Sequence, residues 1–315
     1  MTRHAQIHSL ETIFPPFTNR NVVHLRDKAN VQIQRYLQKS KFYMIGGRAE
    51  TNFVNYEINF ELAQIKVEVK VGDNIVDSGI IHLEKIPEIV NGKLPVIHTT
   101  PQAILLEDER RSKILSWLTP DSLYWCKARG ADYLEGFNKA HEVCTYDLLY
   151  VGISTGQDAY QRLIKKAHHA RGDILSQEPQ RKKGAHLSDE IILFLYDIRT
   201  LGLQVFDSEE DNFDTQVLHT EKIVKDCEKA FVKILGPNYN EVKFKEYPKG
   251  EDGLFGQGVD AYSYSINDSF VFKTAAGSFT SHYREMGHDN RSDFISIEGE
   301  EVTFVIAKDI VASIG

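Results

Sequence analysis

Cysteine is scarce in this chain: Cys126, Cys144 and Cys227 are its only three, and they form no C-x-x-C pair. That number and spacing exclude a disulfide framework and a zinc ribbon. Buried free thiols in a reducing compartment are the reading that remains. Long apolar runs are also lacking. No stretch approaches the roughly 20 apolar residues that span a bilayer, and residues 1–15 contain no continuous apolar region of the signal-peptide kind. The expectation is a cytoplasmic protein with no membrane partner. Positive charge is not in excess either, the formal net charge being −8. A protein that coats nucleic acid would be basic, because its affinity comes from neutralised phosphates. An enzyme acting on nucleic acid needs only one cationic groove, and carboxylates elsewhere limit non-specific trapping.

What is present is globular material. Hydrophobic residues make up 42% of the 315 positions, enough for a sizeable core in two modest domains or one elaborated domain. Apolar residues at Val31, Ile33, Tyr36 and Leu37 predict a surface helix over 27–39. Period-two alternation through Val54, Tyr56, Ile58, Phe60 and Leu62, and again through Ile65, Val67 and Val69, predicts strands, with a turn at Gly72-Asp73-Asn74. Residues 105–118 read as a charged helix ended by Pro120. Strands are expected at 123–125, 146–153 and 190–198, and helices at 158–171 and 214–235, the last stopped by Gly236-Pro237. Residues 207–214 (DSEEDNFD) read as a solvated acidic loop, since they lack EF-hand spacing and its glycine. Strands are expected again at 262–273 and 301–306. The fold class is therefore α+β. An N-terminal α+β region (1–112) precedes a central domain (113–246) and a β-rich C-terminal module (247–315).

Two motifs carry chemistry. The first is Tyr150-Val151-Gly152-Ile153-Ser154, followed twelve positions after Tyr150 by Arg162. The glycine permits close approach of backbone and phosphate, and the arginine offers a planar fork of donors to a phosphate oxygen. The second is Glu228 on a helix that runs into P-N-Y-N and ends at Asn240. A carboxylate on a rigid helix can hold one hard divalent cation and leave water positions open.

Taken in order, a Y-V-G strand, a helix arginine, an apolar strand, a helix glutamate and P-x-Y-N, the segment resembles the GIY-YIG nuclease domain. The resemblance covers 121–240. It implies a small, mainly antiparallel sheet flanked by helices, and metal-dependent hydrolysis of a DNA phosphodiester with Mg²⁺ or Mn²⁺ on Glu228. Arg162 would neutralise charge growing in the transition state, Tyr124 or Tyr150 would position or deprotonate the attacking water, and Asn240 would brace the helix end or the metal's outer shell. Leu123-Tyr124-Trp125 stands where G-I-Y would be. The usual glycine is missing and the connection to Tyr150 exceeds a tight hairpin, so Tyr133 and Tyr146 are substitutes. Lys166, one turn after Arg162, replaces a more usual histidine or tyrosine. On a regular helix His169 returns to the face of Arg162 and His168 points elsewhere.

Flanking charge agrees with a nucleic-acid groove. Between positions 162 and 183 there are seven Lys or Arg against two acids. Lys165, Arg171, Arg181, Lys182 and Lys183 are the expected phosphate contacts. The function that follows is a DNA endonuclease, in restriction or defence against foreign DNA, with room for a homo-oligomer. An RNA or nucleotide phosphodiesterase of the same fold is one alternative. A binding or assembly module that has lost catalysis is the other, favoured by the altered first half of the signature.

Overall fold

The structure, a computed structural model, describes residues 3–27, 30–89, 94–166, 168–205, 220–283 and 292–307. The acidic segment 207–214 lies outside the described residues. The chain begins with β1 (Arg3–Thr12) and β2 (Phe17–Thr18), then short helices α1 (Val22–Leu25) and α2 (Val31–Leu37), then β3 (Phe42–Gly47). β4 (Thr51–Asn59), β5 (Gln64–Val71), β6 (Asn74–His82), β7 (Val96–Thr100), β8 (Ala103–Glu107) and β9 (Ile114–Leu118) follow. α3 (Pro120–Ala128), β10 (Leu134–Gly136) and α4 (Ala140–Val143) lead into β11 (Thr145–Ile153). A π-helix (Tyr160–Lys165), α5 (His169–Gln177) and α6 (Leu187–Glu190) precede the long β12 (Ile191–Val205). α7 (Thr220–Leu235), β13 (Ala261–Ile266), β14 (Val271–Thr274), β15 (Gly277–Thr280), β16 (Phe294–Glu298) and β17 (Glu301–Val305) complete the order.

Ten strands form one large sheet in the order β15-β14-β11-β3-β12-β1-β13-β16-β17, with β2 also paired to β12. β10-β6-β5-β4 and β7-β8-β9 are separate sheets. The architecture is α+β and dominated by sheet. The large sheet takes strands from the N-terminal, central and C-terminal segments alike, so it runs across positions 112 and 247. β12 explains how. Its residues 191–196 pair with β3 and its residues 196–205 with β1, both antiparallel.

β3 is buried at all six positions and lies between β11 and β12. Alternation sends its side chains to two cores. Phe42 and Met44 join the cluster of Phe194, Tyr196 and Phe231. Tyr43 and Ile45 join Leu149, Leu163, Ile164 and Leu193 on the other face. β3 and β11 are antiparallel neighbours, yet residues 48–144, with both small sheets, lie between them in sequence.

Four local expectations are corrected. Residues 105–118 are not a helix but an antiparallel hairpin of β8 and β9. Its charges sit in the turn, where Asp108 accepts hydrogen bonds from the Ser112 and Lys113 amides and Arg111 takes φ 54°. Residues 123–125 are not a strand. They lie in α3, which Thr119 caps in a capping box with Ser122, with Pro120 in the first turn. The expected helix 158–171 is two pieces, a π-helix and α5, with extended backbone at Lys166 between them. The strand expected over 262–273 is likewise two strands, β13 and β14. Among the described residues, no helix is long and apolar enough to cross a membrane.

Candidate active site

The β3–β11 pair sets the floor of the site. In its antiparallel register Tyr43 lies opposite Gly152. A Cβ on Gly152 would fall 2.5 Å from Cε1 of Tyr150 and 2.8 Å from Oη of Tyr43. Only glycine leaves room for the two rings, which stack with centroids 6.2 Å apart. The need for glycine thus comes from two tyrosines in the apo structure, not from the phosphate approach read in the sequence.

The chain then makes the π-helix that carries Arg162. The Arg171 guanidinium donates to the Leu163 carbonyl near its end, and that of Arg26 to the Ile164 carbonyl. These bonds satisfy carbonyls that have lost helical partners. The helix axis breaks at Lys166, and His168 becomes the N-cap of α5, its Nδ1 accepting the Arg171 amide at 3.2 Å. The break overturns the regular-helix expectation for His168, while His169 still borders the same cavity as Arg162. His168 is buried and turned onto Tyr43, whereas His169 is fully exposed and pairs with Asp173 at 3.4 Å.

The hydrogen-bond pattern assigns the protons here. Because Nδ1 of His168 accepts an amide hydrogen, its ring proton sits on Nε2. Nε2 lies 2.7 Å from Oη of Tyr43 and donates to it. Tyr43 also stacks on Tyr150, and the two neighbouring hydroxyls influence each other's ionisation. Burial holds the Tyr43 phenol far above its usual range, and burial also raises Tyr150, with Arg162 opposing both shifts. His168 is pushed down to about 4 by burial, then by Arg162, Arg171 and His169, so it is neutral near pH 7.

α7 delivers Glu228. Ile223, Cys227, Ala230 and Phe231 fix the helix on the core, and Glu228 is half-buried beside them rather than on an exposed surface. The Ile153 amide at the end of β11 lies near enough to favour the charged form of Glu228. Burial pushes its pKa up to about 7 against the opposing charges of Arg162 and Lys229. A second acid on this helix, Asp226, is fully buried and is consumed by Tyr247, Tyr264 and the Leu254 amide. After the helix, Asn240 docks on β11: Oδ1 accepts the Val151 amide at 2.9 Å and Nδ2 donates to the Val151 carbonyl at 2.7 Å. Asn240 therefore braces the post-helix turn against the strand that bears Tyr150.

These elements enclose an open cavity of about 660 Å³, with Tyr150, Arg162, Lys166, His168, His169, Glu228 and Asn240 in its wall. Lys166 reaches Gln157 at 3.2 Å. Tyr43 lies directly behind Tyr150. Tyr124 is elsewhere, on α3, donating to Asp77 at 2.8 Å, and Tyr146 is buried on Asp121 at 2.7 Å. Tyr133 interacts with Cys126. The tyrosine paired with the Y-V-G strand is thus Tyr43. Its sequence signal was the apolar run FYMIGG at 42–47, which a search near position 124 passes over. His168 was missed because a regular helix turns it away.

The basic run is mostly engaged internally. Arg171 caps a helix end, Arg181 pairs with Asp147 at 3.1 Å and Glu178 at 2.8 Å, and Lys182 pairs with Glu50 at 3.4 Å. The Arg181 and Lys182 amides also bind the buried Glu190 carboxylate. Lys165 and Lys183 are exposed.

Among the described residues, no group of three His, Cys, Asp or Glu converges as a metal cage. Glu228 at the wall and Glu241 at the rim supply oxygen donors only. Such a sparse, hard donor set fits Mg²⁺ or Mn²⁺ retaining most of its waters, and does not fit a structural zinc. Comparison of the chain with known families, curated proteins and solved structures gave no match.

Proposed function

We propose that this protein is a metal-dependent endonuclease that hydrolyses DNA phosphodiesters with a site of the GIY-YIG kind. One observation carries the reading. Tyr150, Arg162, Glu228 and Asn240, which the resemblance picks out of two distant stretches of sequence, line one cavity. The antiparallel neighbour of the Y-V-G strand supplies a second tyrosine, Tyr43, stacked on the first. In this reading Tyr43, not Tyr124, is the tyrosine of the first half-signature, and the 48–144 segment is an insertion between the two signature strands.

The residues divide the work as follows. Arg162 lies in the cavity wall with its guanidinium close enough to influence Tyr43, Tyr150, His168 and Glu228. It binds a non-bridging phosphate oxygen and neutralises the charge that grows there. Tyr150 accepts the proton of the attacking water. Burial raises its pKa, so the charge of Arg162 must favour the phenolate. His168 fixes the hydroxyl of Tyr43, whose ring stacks on Tyr150. Glu228 would hold Mg²⁺ or Mn²⁺, which when bound polarises the scissile phosphate and stabilises the leaving oxygen. Asn240 keeps Tyr150 and the end of α7 in register.

The test is incubation of purified protein with plasmid, single-stranded DNA and RNA in Mg²⁺, Mn²⁺ or EDTA. Cleavage of DNA that needs the cation supports the reading. Cleavage of RNA alone transfers the site to the RNA phosphodiesterase alternative. Binding without cleavage under every condition leaves the inactive module.

A further inference from the structure

The geometry points to a second subsite, a groove formed by residues 241–249, that carries the polynucleotide strand flanking the scissile phosphate. This inference rests on the nuclease reading above. A cavity of about 380 Å³ lies along this segment and shares Glu241, Val242 and Phe244 with the wall of the active-site cavity. The two cavities are therefore one continuous path that starts beside Glu228.

Its chemistry suits a strand of nucleic acid. Val242-Lys243-Phe244-Lys245 alternates apolar and cationic side chains. Val242 is 59% exposed, an apolar side chain standing in solvent between the cavities. Lys229, Lys243, Lys245 and Lys249 line the groove against two carboxylates, Glu241 and Glu246. A polynucleotide repeats an anionic phosphate and a flat apolar base, so alternating cations and apolar surface match it. In a chain of net charge −8 this excess is local.

The groove is preformed. Lys243 donates to the Pro237 carbonyl, and Lys233 donates to the Lys245 carbonyl at 2.7 Å. Phe244 takes φ 45°, a left-handed conformation costly for a bulky residue, with its carbonyl accepting the Tyr247 amide at 3.0 Å. The Tyr247 hydroxyl is anchored on the buried Asp226 at 2.6 Å. Asp226 thereby ties the groove to the helix that bears Glu228. The basic run around Arg181 offers less. Arg181 and Lys182 are already held by carboxylates, as Lys229 is by Asp252, whereas Lys245 is exposed and Lys249 pairs with the exposed Glu300 at 2.9 Å.

The test is fluorescence anisotropy of a fluorescein-labelled DNA duplex and its single strand with the full chain in EDTA, over a range of KCl concentrations. The variant is Val242→Ser/Lys245→Ala/Lys249→Ala, which spares the structural Lys243 and Tyr247. Lys113→Ala, an exposed lysine in the β8–β9 turn, is the control. The triple variant is expected to bind about tenfold more weakly at low salt, with its log–log salt slope flattened by about 1 per phosphate-contacting lysine. The control should bind like the wild type. Wild-type affinity and slope in the triple variant overturn the groove and leave the nuclease reading standing, and a loss in Lys113→Ala equal to that of the triple variant also overturns it. A wild-type chain that neither binds nor cleaves DNA or RNA overturns both.

Discussion

Tyr43 and His168 are 125 positions apart in sequence and 2.7 Å apart at Oη and Nε2, with their rings at 86°. The bond exists because the helix after Arg162 breaks at Lys166 and restarts with His168 as its cap. The cap uses Nδ1 and so dedicates the ring proton to Tyr43. If this bond orients the Tyr43 hydroxyl toward Tyr150, His168→Ala should lower single-turnover cleavage by roughly 10²-fold, the lower end of what a positioned proton-transfer group contributes. DNA affinity should be unchanged. His168→Gln, which restores an N–H donor toward Tyr43, should recover part of the rate. Equal rates in both variants would remove His168 from the mechanism.

The two tyrosines should separate on deleting one oxygen each. Tyr150→Phe loses the group that faces the cavity and should abolish cleavage, while Tyr43→Phe loses only its donor and should retain a measurable rate. Both substitutions keep the ring stack and should leave thermal stability nearly unchanged. A larger loss in Tyr43→Phe than in Tyr150→Phe would assign the roles the other way round.

Glu228→Gln tests the metal. The variant should fold, because an amide replaces a carboxylate that burial already penalises. Cleavage in Mg²⁺ should fall by about 10³-fold or more, corresponding to several kcal/mol of transition-state stabilisation. Calorimetric titration with Mn²⁺ should lose its site in parallel. Retained cleavage with a retained Mn²⁺ site would place the cation on other oxygens.

Asn240 is expected to matter for stability before chemistry. Both of its amide groups bond the buried Val151 backbone. Asn240→Ala leaves that N–H and C=O without partners and should cost about 1–3 kcal/mol in urea denaturation. Asn240→Asp should cost more than Ala, because it sets a carboxylate against the Val151 carbonyl in a buried place. Identical midpoints for wild type and both variants would show that the turn is held by other contacts, such as the Tyr239 amide to the Leu149 carbonyl at 3.0 Å.

His8 supplies a pH dependence away from the site. It is fully buried on β1, stacked on Tyr264 and bonded to Thr200 at 2.8 Å. Burial lowers its pKa from 6.5 to about 4. The unfolded chain therefore takes up a proton that the folded chain refuses. Its contribution is fully present above pH 6.5 and is lost as pH falls toward 4, at up to about 1.4 kcal/mol per pH unit. His168 shifts the same way and adds to the same window. Denaturant titrations at several pH values should show a shallower acid loss in His8→Phe than in the wild type. Parallel curves would rule out His8 as a source of acid sensitivity.

The sequence alone determined the elements whose side chains repeat with the backbone. Alternation at 54–58 and 65–69 and the apolar run at 191–198 are strands, though Phe60 and Leu62 fall in the exposed turn between β4 and β5, and the helical period through Cys227, Phe231 and Leu235 is α7, because burial of one face is written in local spacing. It also picked out Tyr150, Arg162, Glu228 and Asn240, which line one cavity, since each stands in or beside a compact motif. Local spacing could not pair β3 with β11. Residues 48–144 separate them, and strand pairing depends on long-range packing that no short window records. Tyr43 was invisible for that reason. The facing of His168 and His169 was decided by a helix break whose carbonyls are satisfied by Arg26 and Arg171, one of them from a distant helix. The availability of Arg181 and Lys182 for phosphate was decided by carboxylates at 50, 147, 178 and 190. Charge counted along a chain includes every cation, whereas only the fold determines which of them already have an anion.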